Sequence, residues 1–213
     1  MKSKTKLGLA MLAAFVLWTW AVCVVDVQPI GPLDSSVGFA RLNGSVRDLV
    51  GVRMGLYDLT DRLSVIPLGL VGCFGIWGLA QWIRRKSLAR VDRSLLMLGG
   101  FYLAVLAFYG LFEIWVVNHR PLLIEGILEG SYPSSTTMLA LCVMPTAWMQ
   151  LRDRISSPLL RRCTGWIVGA FTAFLVVGRV LSGVHWFSDI VGGMLLSGGL
   201  LGIYRGLACR DSY

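Results

Sequence analysis

The 213-residue sequence predicts an all-α fold: a polytopic membrane protein whose six transmembrane helices form one bundle with both termini cytoplasmic. Three observations lead there. Residues of the AVILMFWYC set make up 55% and charged residues only 15%, against about 25% charged in average chains, and mean hydropathy is +0.68. Six apolar stretches recur, each near the roughly 20 residues that a bilayer span needs. Lysine and arginine alternate with them, so that 14 of the 20 fall on one side, the cytoplasmic side by the positive-inside rule. The same composition excludes a disordered chain, and five Cys in 213 residues are too few for a disulfide-built secreted module.

The stretches run over 7–25, 63–83, 95–117, 136–149, 165–180 and 187–204. The first follows Lys2, Lys4 and Lys6 as in a signal peptide. It exceeds an h-region of about 7–15 residues, and no A-x-A site follows, so it reads as a retained span. The fourth and fifth are short, but polar residues at their ends extend them. With the N-terminus inside, the inner loops carry the clusters Arg84–Arg93 and Arg152–Arg162. The outer segments carry only Arg41, Arg47, Arg53, Arg62, Arg120 and Arg179. The net charge of +8 is therefore a topology signal and not a nucleic-acid surface.

The outer segment 26–62 is the longest loop, and its end, 50–63, has the apolar content of a helix lying at the interface. Asn43-Gly44-Ser45 matches a glycosylation sequon. Small residues recur in the last span (Gly193/Ser197, Gly198/Gly202) and in the second (Gly69, Gly72, Gly75, Gly78). Both sets predict close packing inside one bundle. Cys23, Cys73, Cys142, Cys163 and Cys209 lack metal-ligand spacing and read as apolar fillers, Cys209 also as a candidate for acylation. The whole chain, 1–213, reads as one domain with active-site segments at 113–137 and 178–189.

Charged groups at membrane depth are expensive and point to function. Here they meet at the outer face. Glu113 closes span three, and His119-Arg120-Pro121 follows it. Pro133-Ser134-Ser135-Thr136 opens span four, Arg179 closes span five, and His185 and Asp189 open span six. His185 and Asp189 stand at i and i+4, so on a helix they share a face and the carboxylate can orient the imidazole. Two arginines, hydroxyls and a helix start make a phosphate pocket. Beside it, the His-Asp pair suggests phosphoryl transfer to the imidazole.

These residues resemble the type 2 phosphatidic acid phosphatase superfamily, which also contains the vanadium haloperoxidases. Its third motif, Ser-Arg-x5-His-x3-Asp, is matched by Gly178-Arg179, His185 and Asp189. Its second, Pro-Ser-Gly/Ser-His, is matched by Pro133-Ser134-Ser135-Thr136, and its first, Lys-x6-Arg-Pro, by Glu113, six residues and Arg120-Pro121. The resemblance implies a phosphohistidine on His185 oriented by Asp189. Arg120 and Arg179 would clamp the phosphate, Ser134 and Ser135 would donate to it, and no metal or other cofactor would be needed. Glu113, Gly178 and Thr136 depart from the pattern. Thr136 removes the family's general acid, which is worth about 10²–10⁴-fold in rate, and His119 is a candidate displaced acid.

An alkoxide leaving group needs that proton, whereas a pyrophosphate leaves as a phosphate of lower pKa. The sequence therefore predicts an outward-facing phosphatase of a bacterial plasma membrane that prefers a polyprenyl pyrophosphate to phosphatidic acid. Two other readings stand beside it: a degenerate lipid-phosphate-binding protein and a lipid phosphotransferase. A transporter fits poorly, because the charges cluster at one end and not at the midplane. Substrate lipid and surrounding lipids are the expected partners, nucleic acid is not, and the oligomeric state is left open.

Overall fold

The structure, a computed structural model, describes residues 2–208. It contains eight α-helices: α1 (Lys2–Val24), α2 (Ala40–Val50), α3 (Met54–Leu63), α4 (Val65–Arg85), α5 (Arg93–Ile114), α6 (Ser135–Leu151), α7 (Pro158–Ser182) and α8 (Phe187–Ala208). Extended chain among the described residues amounts to three isolated bridges. Five helical stretches are long and apolar enough to cross a membrane: α1, α3 with α4, α5, α7 and α8. Large apolar side chains on them stay exposed, such as Ile76, Ile114 and Trp166, as lipid-facing surface requires.

Six spans were expected, and α6 accounts for the difference. It has 17 residues with Pro145 inside it, which removes one backbone hydrogen bond. It is also the most enclosed helix, packing against α4, α5, α7 and α8. Its core residues include Met138, Ala140, Cys142 and Val143. The expected interfacial helix at 50–63 is present as α3, which leads straight into α4 across Ser64. α2 was not foreseen.

Short ties set the helix ends. Asp92, ahead of α5, receives Gln81 Nε2 at 2.6 Å and Arg85 Nη1 at 2.8 Å. Those contacts join α4 to α5 and hold the Asp92 carboxyl below the usual carboxylate range. Ser157 caps α7, with Pro158 as its first residue, a position where the missing N–H costs nothing. α7 ends at Gly183, whose φ of +67° suits glycine. A methyl group there would also meet the Gly51 carbonyl oxygen at 2.0 Å.

Two packing expectations are corrected. The small residues of α8 do pack inside the bundle, where Gly198, Gly199, Gly202 and Gly206 lie against α1. The glycines of α4 do not: a methyl group at Gly69, Gly72, Gly75 or Gly78 would meet nothing within 4 Å. Among the described cysteines only Cys142 is a core filler, because Cys23, Cys73 and Cys163 sit on exposed helix faces. Cys209 lies outside the described residues.

Candidate active site

The end of the bundle that carries segments 25–53 and 115–134 is cross-linked by buried polar side chains. Asn43 is 1% exposed. Its Nδ2 donates to the Gly38 carbonyl (2.7 Å) and to Ser188 Oγ (2.9 Å), and its Oδ1 accepts from the Ser188 backbone N–H (3.0 Å). The amide of the Asn43-Gly44-Ser45 sequon match is thus enclosed and its donors are used. Asn118 is equally buried, and its Nδ2 donates to Asp189 Oδ1 at 3.0 Å. The two asparagines fasten the loops to the start of α8, where His185 and Asp189 stand. Neither Asn43, on α2, nor Asn118, in the loop after α5, gives a sequence signal that separates this task from that of an ordinary polar residue.

His185 is buried in the turn between α7 and α8. Its Nδ1 faces the Ser131 carbonyl oxygen at 3.2 Å and Asp189 Oδ2 at 3.8 Å. A carbonyl oxygen only accepts, so Nδ1 carries the proton and Nε2 presents its lone pair. Asp189 was expected to orient the imidazole; the Ser131 carbonyl faces Nδ1 at hydrogen-bond distance, and Asp189 adds a charge just beyond that reach. The oxygens of that carboxylate, fully buried, take Asn118 and the Trp186 backbone N–H (3.0 Å). Burial, helped by the nearby arginines, lowers the His185 pKa from its ordinary value, and Asp189 pulls it partly back. Burial thus favours the neutral ring, the form that leaves Nε2 unprotonated.

The phosphate-clamp candidates surround it. Arg120 Nη1 lies 3.3 Å from His185 Nε2, and Arg120 Nε lies 2.9 Å from Glu129 Oε2. Arg179 is 1% exposed. Its Nη2 donates to Asp61 Oδ1 at 2.6 Å and to Thr136 Oγ1 at 2.7 Å. Its Nε and Nη1 are buried with no hydrogen-bond partner in the protein. The Tyr57 ring lies beside both guanidinium groups, 5.7 Å from Arg120 Cζ and 4.8 Å from Arg179 Cζ. Tyr57 and Asp61 both come from α3 and were missed in the sequence, because an interfacial amphipathic helix does not reveal which polar residue turns inward.

The serines divide. Ser134 is wholly buried and caps α6, its Oγ accepting from the Thr137 N–H at 3.4 Å while its own N–H donates to the Asp189 carbonyl. Of the two serines expected to donate to a phosphate, Ser135 lines the cavity that holds His185, and Ser134 lies behind it. That cavity, about 480 Å³, is also lined by Tyr109, Glu113, Arg120, Glu129, Ser131 and Tyr132. Glu113 thus faces the site. The side chain of His119 does not line this cavity, and its backbone carbonyl accepts from Trp186 Nε1 at 2.7 Å. Gly178 has a local reason: a methyl group there would reach Thr60 Cγ2 of α3 at 2.6 Å.

The sequence profile of the PAP2 superfamily matches residues 95–208, which include every motif residue of this site. The chain belongs to the PAP2 superfamily. It is similar to the crystal structure of a transmembrane PAP2-type phosphatidylglycerolphosphate phosphatase from Bacillus subtilis. The two share 17% identity and a TM-score of 0.68 over 97% of this chain and 98% of that one. At that identity the likeness shows a common fold. A comparison with curated proteins finds no match. The superfamily, the fold and the apolar helices together make this a multi-pass membrane protein with the architecture of a lipid phosphatase.

Proposed function

We propose that this protein is a lipid phosphate phosphatase that works through a phosphohistidine on His185 at the outer face of a bacterial plasma membrane. The buried Arg179, with two unpartnered donors, carries the reading. An unpaired buried donor on a cation is costly, and a phosphate oxygen supplies the missing acceptor. Arg120, the Ser135 hydroxyl and the first-turn N–H groups of α6 complete an anion site. The Nε2 lone pair of His185 attacks phosphorus, and the leaving oxygen departs with its bonding pair.

α6 is read as a sixth span: at about 1.5 Å per residue it reaches roughly 25 Å, and it packs against α4, α5, α7 and α8. The basic clusters at the opposite end support a site facing outside. Thr136 is an acceptor for Arg179 and a poor acid, so the preferred substrate is one whose leaving group needs no proton, a polyprenyl pyrophosphate before phosphatidic acid. An apolar cavity of about 320 Å³, lined by Leu68, Val105, Leu106 and Leu139, opens beside Thr136 and suits the lipid chain.

Phosphate release by purified protein, offered both lipids, tests this. Release is expected to favour the pyrophosphate and to vanish in His185→Ala. A preference for phosphatidic acid would remove the leaving-group argument, and equal release by His185→Ala would remove the mechanism. A phosphate-binding protein would bind both lipids without release.

A further inference from the structure

Hydrolysis of a phosphohistidine needs a base for the attacking water, and the residue at the family's proton-transfer position, Thr136, has an alkyl alcohol in place of an imidazole. Two carboxylates stand on the arginine clamps. Glu129 pairs with Arg120, on the same side as His185 Nε2. Asp61 pairs with Arg179 and shares its Nη2 with Thr136. The two sides line two cavities. One, about 480 Å³, holds His185, Arg120 and Glu129, and the other, about 320 Å³, holds Asp61, Ser64 and Thr136. They meet at Tyr109, Ser135 and Met138. A phosphate held at Ser135, at the head of α6, would have His185 on one side and Asp61 on the other.

The placement of Asp61 is built. α3 lies outside residues 95–208 matched by the superfamily. It is fixed to α7 by the Arg53 N–H donating to the Ser182 carbonyl (2.9 Å) and by Thr60 seated on Gly178. Tyr57, one turn before Asp61, lies beside both guanidinium groups. The Asp61 side chain is 56% exposed while its partner is 1% exposed, and it lines the smaller cavity.

We infer that Asp61 is the general base for the second half-reaction, supplied by α3 in place of the histidine that Thr136 replaces. The inference rests on the phosphohistidine reading above. Displacement at phosphorus is in line, so water must arrive opposite the departing nitrogen. That favours the Asp61 side over Glu129. The water oxygen bonds to phosphorus, the N–P bond breaks, its electron pair returns to Nε2, and the water proton passes to the Asp61 carboxylate.

The test uses the full-length protein and a prenyl diphosphate radiolabelled in its terminal phosphate. Wild type, Asp61→Asn, Asp61→Glu, Glu129→Gln and His185→Ala are compared, with Asp58→Asn, exposed on the same helix, as a surface control. Asp61→Asn should lower steady-state release by about 10²–10⁴-fold, the usual worth of a positioned base, while label still transfers to His185 and accumulates. Hydroxylamine, a stronger nucleophile than water, should discharge that label in Asp61→Asn as fast as in wild type. Asp61→Glu should restore part of the turnover, and Asp58→Asn should leave it unchanged. Unchanged turnover in Asp61→Asn, or loss of label transfer along with turnover, would overturn the inference. Accumulation in Glu129→Gln alone would also overturn it, in favour of Glu129. No label in any variant, with release intact in His185→Ala, would instead overturn the phosphohistidine reading itself.

Discussion

Glycine is used in opposite ways on α8 and on α4. On α8 it lets two backbones touch: a methyl group at Gly202 would lie 2.7 Å from Gly8 Cα, and one at Gly199 would lie 2.5 Å from Leu12 Cδ2. The α1/α8 seam is the most extensive in the bundle. On α4, Gly75 and Gly78 face Gly99 and Gly100 of α5 across an apolar cavity of about 460 Å³. The closed side carries the groups that must not move, His185 and Asp189. The open side leaves apolar space at membrane depth, and Leu106 lines both this cavity and the one beside Thr136. A repeat of small residues states only that the backbone is accessible, and the neighbouring helix decides whether it is covered.

The comparison can be broken or sharpened by experiment. The largest effect belongs to the closed side. His185→Ala should lower kcat by on the order of 10⁴-fold or more, as loss of a nucleophile does in other hydrolases. Arg179→Ala should cost about 10²–10³-fold, the range for one donor aimed at developing charge, and should weaken inorganic phosphate binding in parallel. A comparable loss on replacing Leu103, which lines only the open side, would break the division.

Stability should divide the same way. Gly202→Leu forces the α1/α8 seam apart and should destabilise by about 1–3 kcal/mol or more. Gly72→Leu enters open space and should change stability by less than about 0.5 kcal/mol. Thermal unfolding in one detergent compares the two, and equal shifts would contradict the contrast. Asn118→Ala should fall between them, since it leaves Asp189 Oδ1 without its amide donor at a cost of about 1–3 kcal/mol.

The smallest effect is on pH dependence. Only unprotonated His185 is nucleophilic, and burial lowers its pKa. The acid limb of kcat/KM should therefore fall below the ordinary histidine value of 6.5. Asp189 stabilises the protonated ring, so Asp189→Asn should move the limb lower still while reducing kcat. A limb that moves upward would show that Asp189 does not act on the ring.

The sequence disclosed most of this where chemistry leaves a pattern. Apolar runs marked the helices, and the spacing of Arg179, His185 and Asp189 marked the candidate site. It failed where the deciding fact is which face turns inward. Asn43 gave only a sequon match in the sequence and is a buried strut, because its partner Ser188 is 145 positions away. Ser134 was read as a phosphate donor, and the sequence did not show that it also caps α6. Asp61 had no motif at all: nothing in its neighbours says that α3 folds back onto α7. Even Gly178, an apparent defect in the third motif, has its explanation in Thr60 of that same helix.

The most direct test of the account is to find the covalent intermediate. Wild-type protein is quenched during turnover of a prenyl diphosphate labelled in its terminal phosphate, and the acid-labile label is mapped by peptide. The account predicts label on the peptide that carries His185 and none in His185→Ala. Phosphate release with no label on that peptide, or with label on another residue, would contradict it.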